Sequence, residues 1–316
     1  MAVRVVLAVR AGYDARVPSA IILCAGYGTR LRPLTEELPK PLVPVGDRSI
    51  LEHALASLEA AGVAELAINV HHLAEQFASK LASSHAKVRV IVEPSIRGTA
   101  GGVAGARAHL SLAPVLVWNG DILVAPPIDQ LLVGCEPQSL CLGVAPRALG
   151  EGTVGLDAQG HVVRLRGERF GTEVRGGDYV GVLALGADVL ASLPDRGCLF
   201  GDVALPLLRA GGTVRSAAVT APWTDAGDVQ SLLGANLAWL NARGLGSFQG
   251  RGAEVRPGVE LRQALIGEGA RVQGRGVIER CVVCPGASAV APLRDVIVAP
   301  SGRVIPAPPG GLLAKN

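Results

Sequence analysis

Lysine is nearly missing from this chain. Of 30 basic residues among 316, four are lysine (Lys40, Lys80, Lys87 and Lys315) and the other 26 are arginine. Arginine is the default cation here, a bias that fits a GC-rich coding sequence, so each lysine is more informative than usual. Long apolar runs are missing too. No window reaches the roughly 18–20 apolar residues of a membrane span, and no membrane partner is expected. Charge of one sign is scarce: a formal net charge of +3 is too small to imply nucleic acid. The first residues, "MAVRVVLAVRAGYDARV", lack a clear apolar core and cleavage site, because Arg4 and Arg10 interrupt them. Residues 1–18 are therefore read as an extension. The six cysteines are scattered and mostly in apolar contexts, which fits reduced, buried thiols and a cytoplasmic location. Cys281-Val-Val-Cys284 has no second CxxC or His pair near it, so a structural role is favoured over a metal or redox one.

Apolar residues make up 49% of the chain, enough for a sizeable core and one to three domains. From Ala20 to Asp121 strand and helix patterns alternate. "AIIL" reads as a strand, and Ser49-Ile-Leu-Glu52 as a capping box opening a helix that stops at Gly62. "ELAINV" and "VRVIV" are further strands, Leu73–Leu81 and Ala100–Leu110 helices, and "PVLVWNGD" a strand with a polar turn. This alternation predicts an α/β, Rossmann-like doubly wound mixed sheet over 19–243, with ligands at the carboxyl ends of its strands. Residues 140–222 read as short strands in an insertion that covers one side of the site. The tail, 250–316, changes period. Ile266, Val272, Ile278, Cys284, Val290 and Val296 fall six apart, which predicts a short left-handed parallel β-helix of two coils.

The chemistry starts where the first strand ends. Gly26 and Gly28 let backbone N–H groups approach an anion. A dinucleotide turn is disfavoured, because the third glycine of GxGxxG falls on Leu31 and "ELAINVHH" ends without an acid for the ribose. Arg30, Arg32 and Lys40 follow instead, and suit a triphosphate.

Gly26-Tyr-Gly-Thr-Arg-Leu-Arg-Pro-Leu-Thr35 followed by Pro39-Lys-Pro-Leu42 resembles the signature of the sugar-1-phosphate nucleotidyltransferases. Glu93-Pro94 with Arg97-Gly-Thr-Ala-Gly-Gly102, Asn119-Gly120-Asp121 and Trp223-Thr-Asp-Ala-Gly227 resemble further motifs of that family in order. The resemblance implies that Arg30 and Lys40 contact the phosphates of a nucleoside triphosphate. It assigns Leu23, Ala25, Gly26, Gly28, Thr29, Glu93, Gly98, Thr99, Ala100, Asn119 and Gly120 to the nucleotide. Asp121 and Asp225 are its implied ligands for Mg²⁺, a hard cation satisfied by few protein oxygens plus phosphate and water. A sugar 1-phosphate is the implied acceptor, and the β-helix tail a packing module or a homodimer contact.

The chain departs from the family at Gly227-Asp228, where Gly-Thr-Pro is common, and in the stretch where the sugar phosphate is held. The usual Glu-Lys-Pro, whose lysine holds the sugar phosphate, corresponds to "HVVRLRGERFGTEV", which has no lysine. Arg164, Arg166 or Arg169 is left for that part, with Arg169 the first choice. Gly155, Tyr179 and Gly181 are the expected sugar-side residues. "GTAG" and the short tail are most similar to mannose-1-phosphate guanylyltransferases, so GTP and mannose 1-phosphate are the expected pair. Uridylyl transfer to N-acetylmuramate 1-phosphate, use of a heptose 1-phosphate, and a catalytically silent nucleotide-sugar-binding subunit are the alternatives.

Overall fold

The computed structural model describes residues 19–63, 65–81, 87–110 and 114–307, and the expected extension at 1–18 lies outside them. Four parallel strands form one half of a ten-stranded sheet, in the order Val115–Asn119, Ser19–Leu23, Glu65–Val70, Lys87–Val92, with the last at the edge. The first three of these are buried on both faces, as parallel strands covered by helices are, whereas Val90 and Val92 of the edge strand are exposed. The first strand pairs with both the second and the fourth, so the chain reverses direction across the sheet there. A crevice opens at such a switch point. The helix Ile50–Ala60 starts from a complete capping box, with Ser49 and Glu52 bonded reciprocally.

Residues 140–222 are more than a covering insertion. Arg175–Leu185 pairs antiparallel with Val115–Asn119 and also with Leu140–Arg147 and Val154–Leu156. It is the spine that joins the parallel half of the sheet to the antiparallel half. The helix expected at Leu73–Leu81 is a 3₁₀ turn, Ala74–Gln76, running into α-helix at Phe77–Leu81.

The tail stacks parallel strands, compatible with a β-helix, but in a different register from the six-residue period. Phe248, Leu265, Val282 and Ile297 pair in succession, so its coils span 17, 17 and 15 residues. Three hexapeptides would give 18. Side chains alternate across a strand, so a one-residue slip exchanges inside for outside. Val272 therefore pairs with Ala289, which is 3% exposed, while the expected inward residue Val290 is 65% exposed. The period looked regular because segments 281–284 and 296–299 are apolar and buried throughout. The helix Val229–Asn241 backs the tail and shares its apolar cluster, with Trp239 edge-on to Phe248. Asp228 caps that helix by accepting from the Ser231 N–H. Cys281 and Cys284 are free and buried in this cluster. Burial pushes their thiols up to about 11 and about 12, so neither is a ready metal ligand or redox group.

The register can be tested by paired substitution. Val290→Lys should change stability by no more than about 0.5 kcal/mol. Ala289→Lys buries a charge and should cost about 2 kcal/mol or more, read as a shift in the urea midpoint.

Candidate active site

A cleft of about 390 Å³ lies at the carboxyl ends of the parallel strands. Leu23 to Gly28 leave the first strand, Asn69 ends the second, Glu93 follows the third, and Asn119 to Asp121 end the fourth; all but Tyr27 line it. The glycine turn is held from below by Asn69, whose Oδ1 accepts from the Cys24 N–H at 2.9 Å. Gly28 is left-handed (φ 61°), and a Cβ there would lie 2.9 Å from Thr35 Cγ2. Thr35 closes the loop by donating its hydroxyl to the Gly28 carbonyl at 2.8 Å. A Cβ on Gly26 would meet nothing within 4 Å. That glycine therefore keeps space open on the cleft side, as a cradle for a ligand requires.

Lys40 is the centre of the charge arrangement. Its side chain is 9% exposed, and Nζ donates to Asp121 Oδ2 at 2.6 Å and lies 3.6 Å from Asp225 Oδ1. The aspartates are 104 positions apart but lie side by side. Thr224-Asp225 forms a short antiparallel ladder with Ile122-Leu123, and the Ala226 N–H donates to the Asp121 carbonyl. Trp118 Nε1 holds the turn by donating to the Ile122 carbonyl. Arg30, on the rim, lies 3.8 Å from Asp225. Its guanidinium occupies the space a Cβ at Gly227 would fill, with Nη2 at 2.8 Å.

Asp225 Oδ1 is buried and has no hydrogen-bond partner among the described residues. An orphaned carboxylate oxygen beside a second carboxylate fits a hard divalent cation. Among the described residues no cluster of three or more ligating side chains occurs, so two carboxylates are what these residues offer here.

Glu93 forms the floor and is 3% exposed. Its carboxylate accepts from Asn69 Nδ2 at 2.8 Å and from the Arg97 N–H at 3.0 Å. Asn69 is the site residue that sequence reading passed over. Its signal was its place at the carboxyl end of a parallel strand. Gly98 and Thr99 line the cleft, and Thr99 Oγ1 accepts from the Leu199 N–H at 2.8 Å. Ala100 does not line it; its side chain is fully buried in the core.

The expected sugar-side residues are scattered. Gly181, at the register break in Arg175–Leu185, packs against Ile122 next to Asp121. Tyr179 stacks edge-on against Phe200. Gly155 faces the Arg164–Glu173 ion pair. Arg169, the first choice for the missing lysine, is not in the cleft lining; its side chain is 68% exposed, and its nearest ion-pair partner is Glu173 at 4.0 Å. Arg164 is held by Glu173 and by the carbonyls of Glu151, Gly152 and Val154. Arg166, like Arg169, is exposed and outside the cleft lining, but its Nη2 lies 3.1 Å from Cys198 Sγ, beside the loop that Thr99 anchors. Partial burial opposes the Cys198 thiolate, but the Gly201 and Phe200 N–H groups and Arg166 together lower its pKa.

No helix among the described residues is long and apolar enough to cross a membrane.

Comparison with known proteins agrees with this geometry. An N-acetylmuramate alpha-1-phosphate uridylyltransferase of Caulobacter vibrioides is 33% identical over 236 residues, covering 68% of this chain and 94% of its own. A mannose-1-phosphate guanylyltransferase of Mycobacterium tuberculosis is 28% identical over 303 residues, covering 83% of each chain. The crystal structure of HddC from Yersinia pseudotuberculosis is similar in fold, with a TM-score of 0.59 and 22% identity over 70% of this chain and 99% of that one. The family described as nucleotidyl transferase matches residues 19–242, the stretch that builds the sheet, the cleft and both aspartates, and the chain belongs to that family.

Proposed function

We propose that the chain transfers a guanylyl group from GTP to a sugar 1-phosphate, with mannose 1-phosphate the first acceptor to try. The general reaction, nucleotidyl transfer to a sugar 1-phosphate, follows from family membership. The observation that carries its assignment to this cleft is the meeting of Lys40, Asp121 and Asp225 at the rim. Support for guanine comes from Glu93. A buried carboxylate offers acceptors only, and the Watson–Crick edge of guanine presents two adjacent donors. The match to the guanylyltransferase relative also extends over more of the chain than the nucleotidyl transferase region. Uridylyl transfer is the second reading, favoured by the higher identity of the Caulobacter relative.

The chain's own groups would act as follows. The glycine turn and Thr29 receive the phosphates, and Asn69 and Glu93 fix the base. A sugar 1-phosphate is largely dianionic at neutral pH, since the second pKa of a phosphate monoester is about 6. It needs no general base, which agrees with a cleft that holds no nucleophile–His–Asp arrangement. Its oxygen attacks the α-phosphorus in line, the bond from that phosphorus to the bridging oxygen breaks, and pyrophosphate leaves. Lys40 and Arg30 offset the charge that builds on the leaving group, and the cleft orients the two anions. Asp121 and Asp225 would hold Mg²⁺, which when bound neutralises phosphate charge and polarises the reacting phosphoryl group. Arg166 is proposed as the cation for the acceptor phosphate. Of the three arginines weighed, it is the one that packs against the loop anchored on Thr99.

A matrix of GTP, UTP, dTTP and CTP against hexose, amino-sugar and heptose 1-phosphates, read by pyrophosphate release, tests the reading. GTP with mannose 1-phosphate should give the highest kcat/KM. A maximum with UTP would select the second reading, and no turnover with any pair would remove both. Asp121→Asn should lower kcat/KM by about 10²-fold or more, a loss typical of removing a group that stabilises transition-state charge. Arg166→Ala should raise KM for the sugar phosphate about tenfold or more, as loss of a charge-assisted hydrogen bond worth about 1.5–3 kcal/mol implies. KM for the triphosphate should be unchanged, and Arg169→Ala should be close to wild type.

A further inference from the structure

No described residue of the tail lines the cleft, yet the tail touches the segment that carries Arg30. Residues 29–42 hold three short 3₁₀ turns, Thr29–Leu31, Leu34–Glu36 and Lys40–Leu42, joined by short irregular links. Its backbone hydrogen bonds are local, each closing a single turn, so how the turns sit relative to one another depends largely on what surrounds them. On one side, a His72 ring nitrogen bonds the Thr35 carbonyl at 2.7 Å, and Gln76 Nε2 donates to the Glu37 carbonyl at 3.0 Å. On the other side stands the end of the tail. The Glu37 carboxylate accepts from the Ser301 N–H at 2.8 Å and from the Ser301 hydroxyl at 2.7 Å, and Arg303 lies 3.5 Å from Glu36. Leu31 and Leu34 are both fully buried, in the same apolar cluster as Ile278, Val283 and Val298 of the tail. Leu31 follows Arg30 directly.

We infer that the tail is a positioning element of the triphosphate site, acting through the Glu37–Ser301 contact on the segment that aims Arg30. Glu37 is a positioning residue and touches no substrate. The bidentate acceptance by a half-buried carboxylate pins the Leu34–Glu36 turn, and the buried Leu31 and Leu34 side chains set the height of the preceding turn on the tail. With the carboxylate gone, the two leucines still hold the turn on the tail, but its lateral position is free. The inference relies on the nucleotidyl-transfer reading only for its kinetic part.

The test uses the full chain with Glu37→Ala, Glu37→Gln, Arg30→Ala and the double variant. Glu37→Ala should lower kcat/KM for the triphosphate roughly tenfold, less than the about 100-fold that a 1 Å misplacement can cost. KM for the sugar phosphate should stay within about twofold of wild type, because the misplaced group acts on the triphosphate. The conservative Glu37→Gln, which keeps an oxygen for the Ser301 N–H, should recover most of the loss. In the Arg30→Ala background, Glu37→Ala should add less than about twofold, because the two act as a unit. Hydrogen exchange gives a readout that needs no substrate. The Leu31 and Arg32 amides, bonded to the Gly28 and Thr29 carbonyls, should exchange faster in Glu37→Ala, while amides of the central strands keep wild-type protection. Full additivity with Arg30→Ala, or unchanged exchange at both amides, would overturn the inference. If wild type turned over no nucleotide–sugar pair, the proposed function would fail and the exchange measurement would still decide this one.

Discussion

One ammonium holds this site together. Lys40 Nζ bonds Asp121 and lies close to Asp225, and these three residues come from the loop after the first strand, the end of the fourth, and the segment before the last helix of the sheet region. Two carboxylates brought side by side repel one another and raise the cost of folding unless a cation lies between them. Lys40 is that cation. Asp225 Oδ1 lies 3.6 Å from that ammonium and accepts no hydrogen bond from the described residues.

The other features serve to hold those three groups in place. The parallel sheet delivers Asp121 at a strand end, and the switch in strand order opens the cleft beside it. The ladder between Ile122-Leu123 and Thr224-Asp225 brings the second carboxylate back across the chain. Gly181 allows the spine strand to pack against Ile122 and support that ladder. Behind the loop that carries Arg30 and Lys40, the tail and the helix Val229–Asn241 form one apolar cluster with Leu31, Leu34 and Ile50. That loop thus rests on the tail, and the two share a core.

Much of the site was readable in advance because its residues are clustered in sequence and their chemistry is specific. Gly26, Gly28, Arg30 and Lys40 lie within one short segment, and few uses other than phosphate binding need that combination. The parts that were not readable depend on packing. Arg164, Arg166 and Arg169 are alike in sequence, and only packing sets them apart: Glu173 holds Arg164, and Arg166 lies beside Cys198. Asn69 looked like a strand terminus until its amide was seen to bridge Cys24 and Glu93. In the tail the period of six gave strands in about the right places. Their register was set by coils of 17 and 15 residues, which no count of apolar positions would give where whole segments are buried on both faces.

The sequence by itself determined the order of elements, the placement of polar turns at strand ends, and the class of ligand. Those follow from local periodicity and from residue types that can do only a few things. Tertiary structure decided which charges meet. Asp121 and Asp225 are 104 residues apart, and neither local propensity nor charge says that they share a lysine; the sheet and one two-residue ladder do. It also decided that the tail packs against the loop that carries Arg30 and Lys40, because an apolar strand face has no chemical address and is matched only by the shape of the surface it covers.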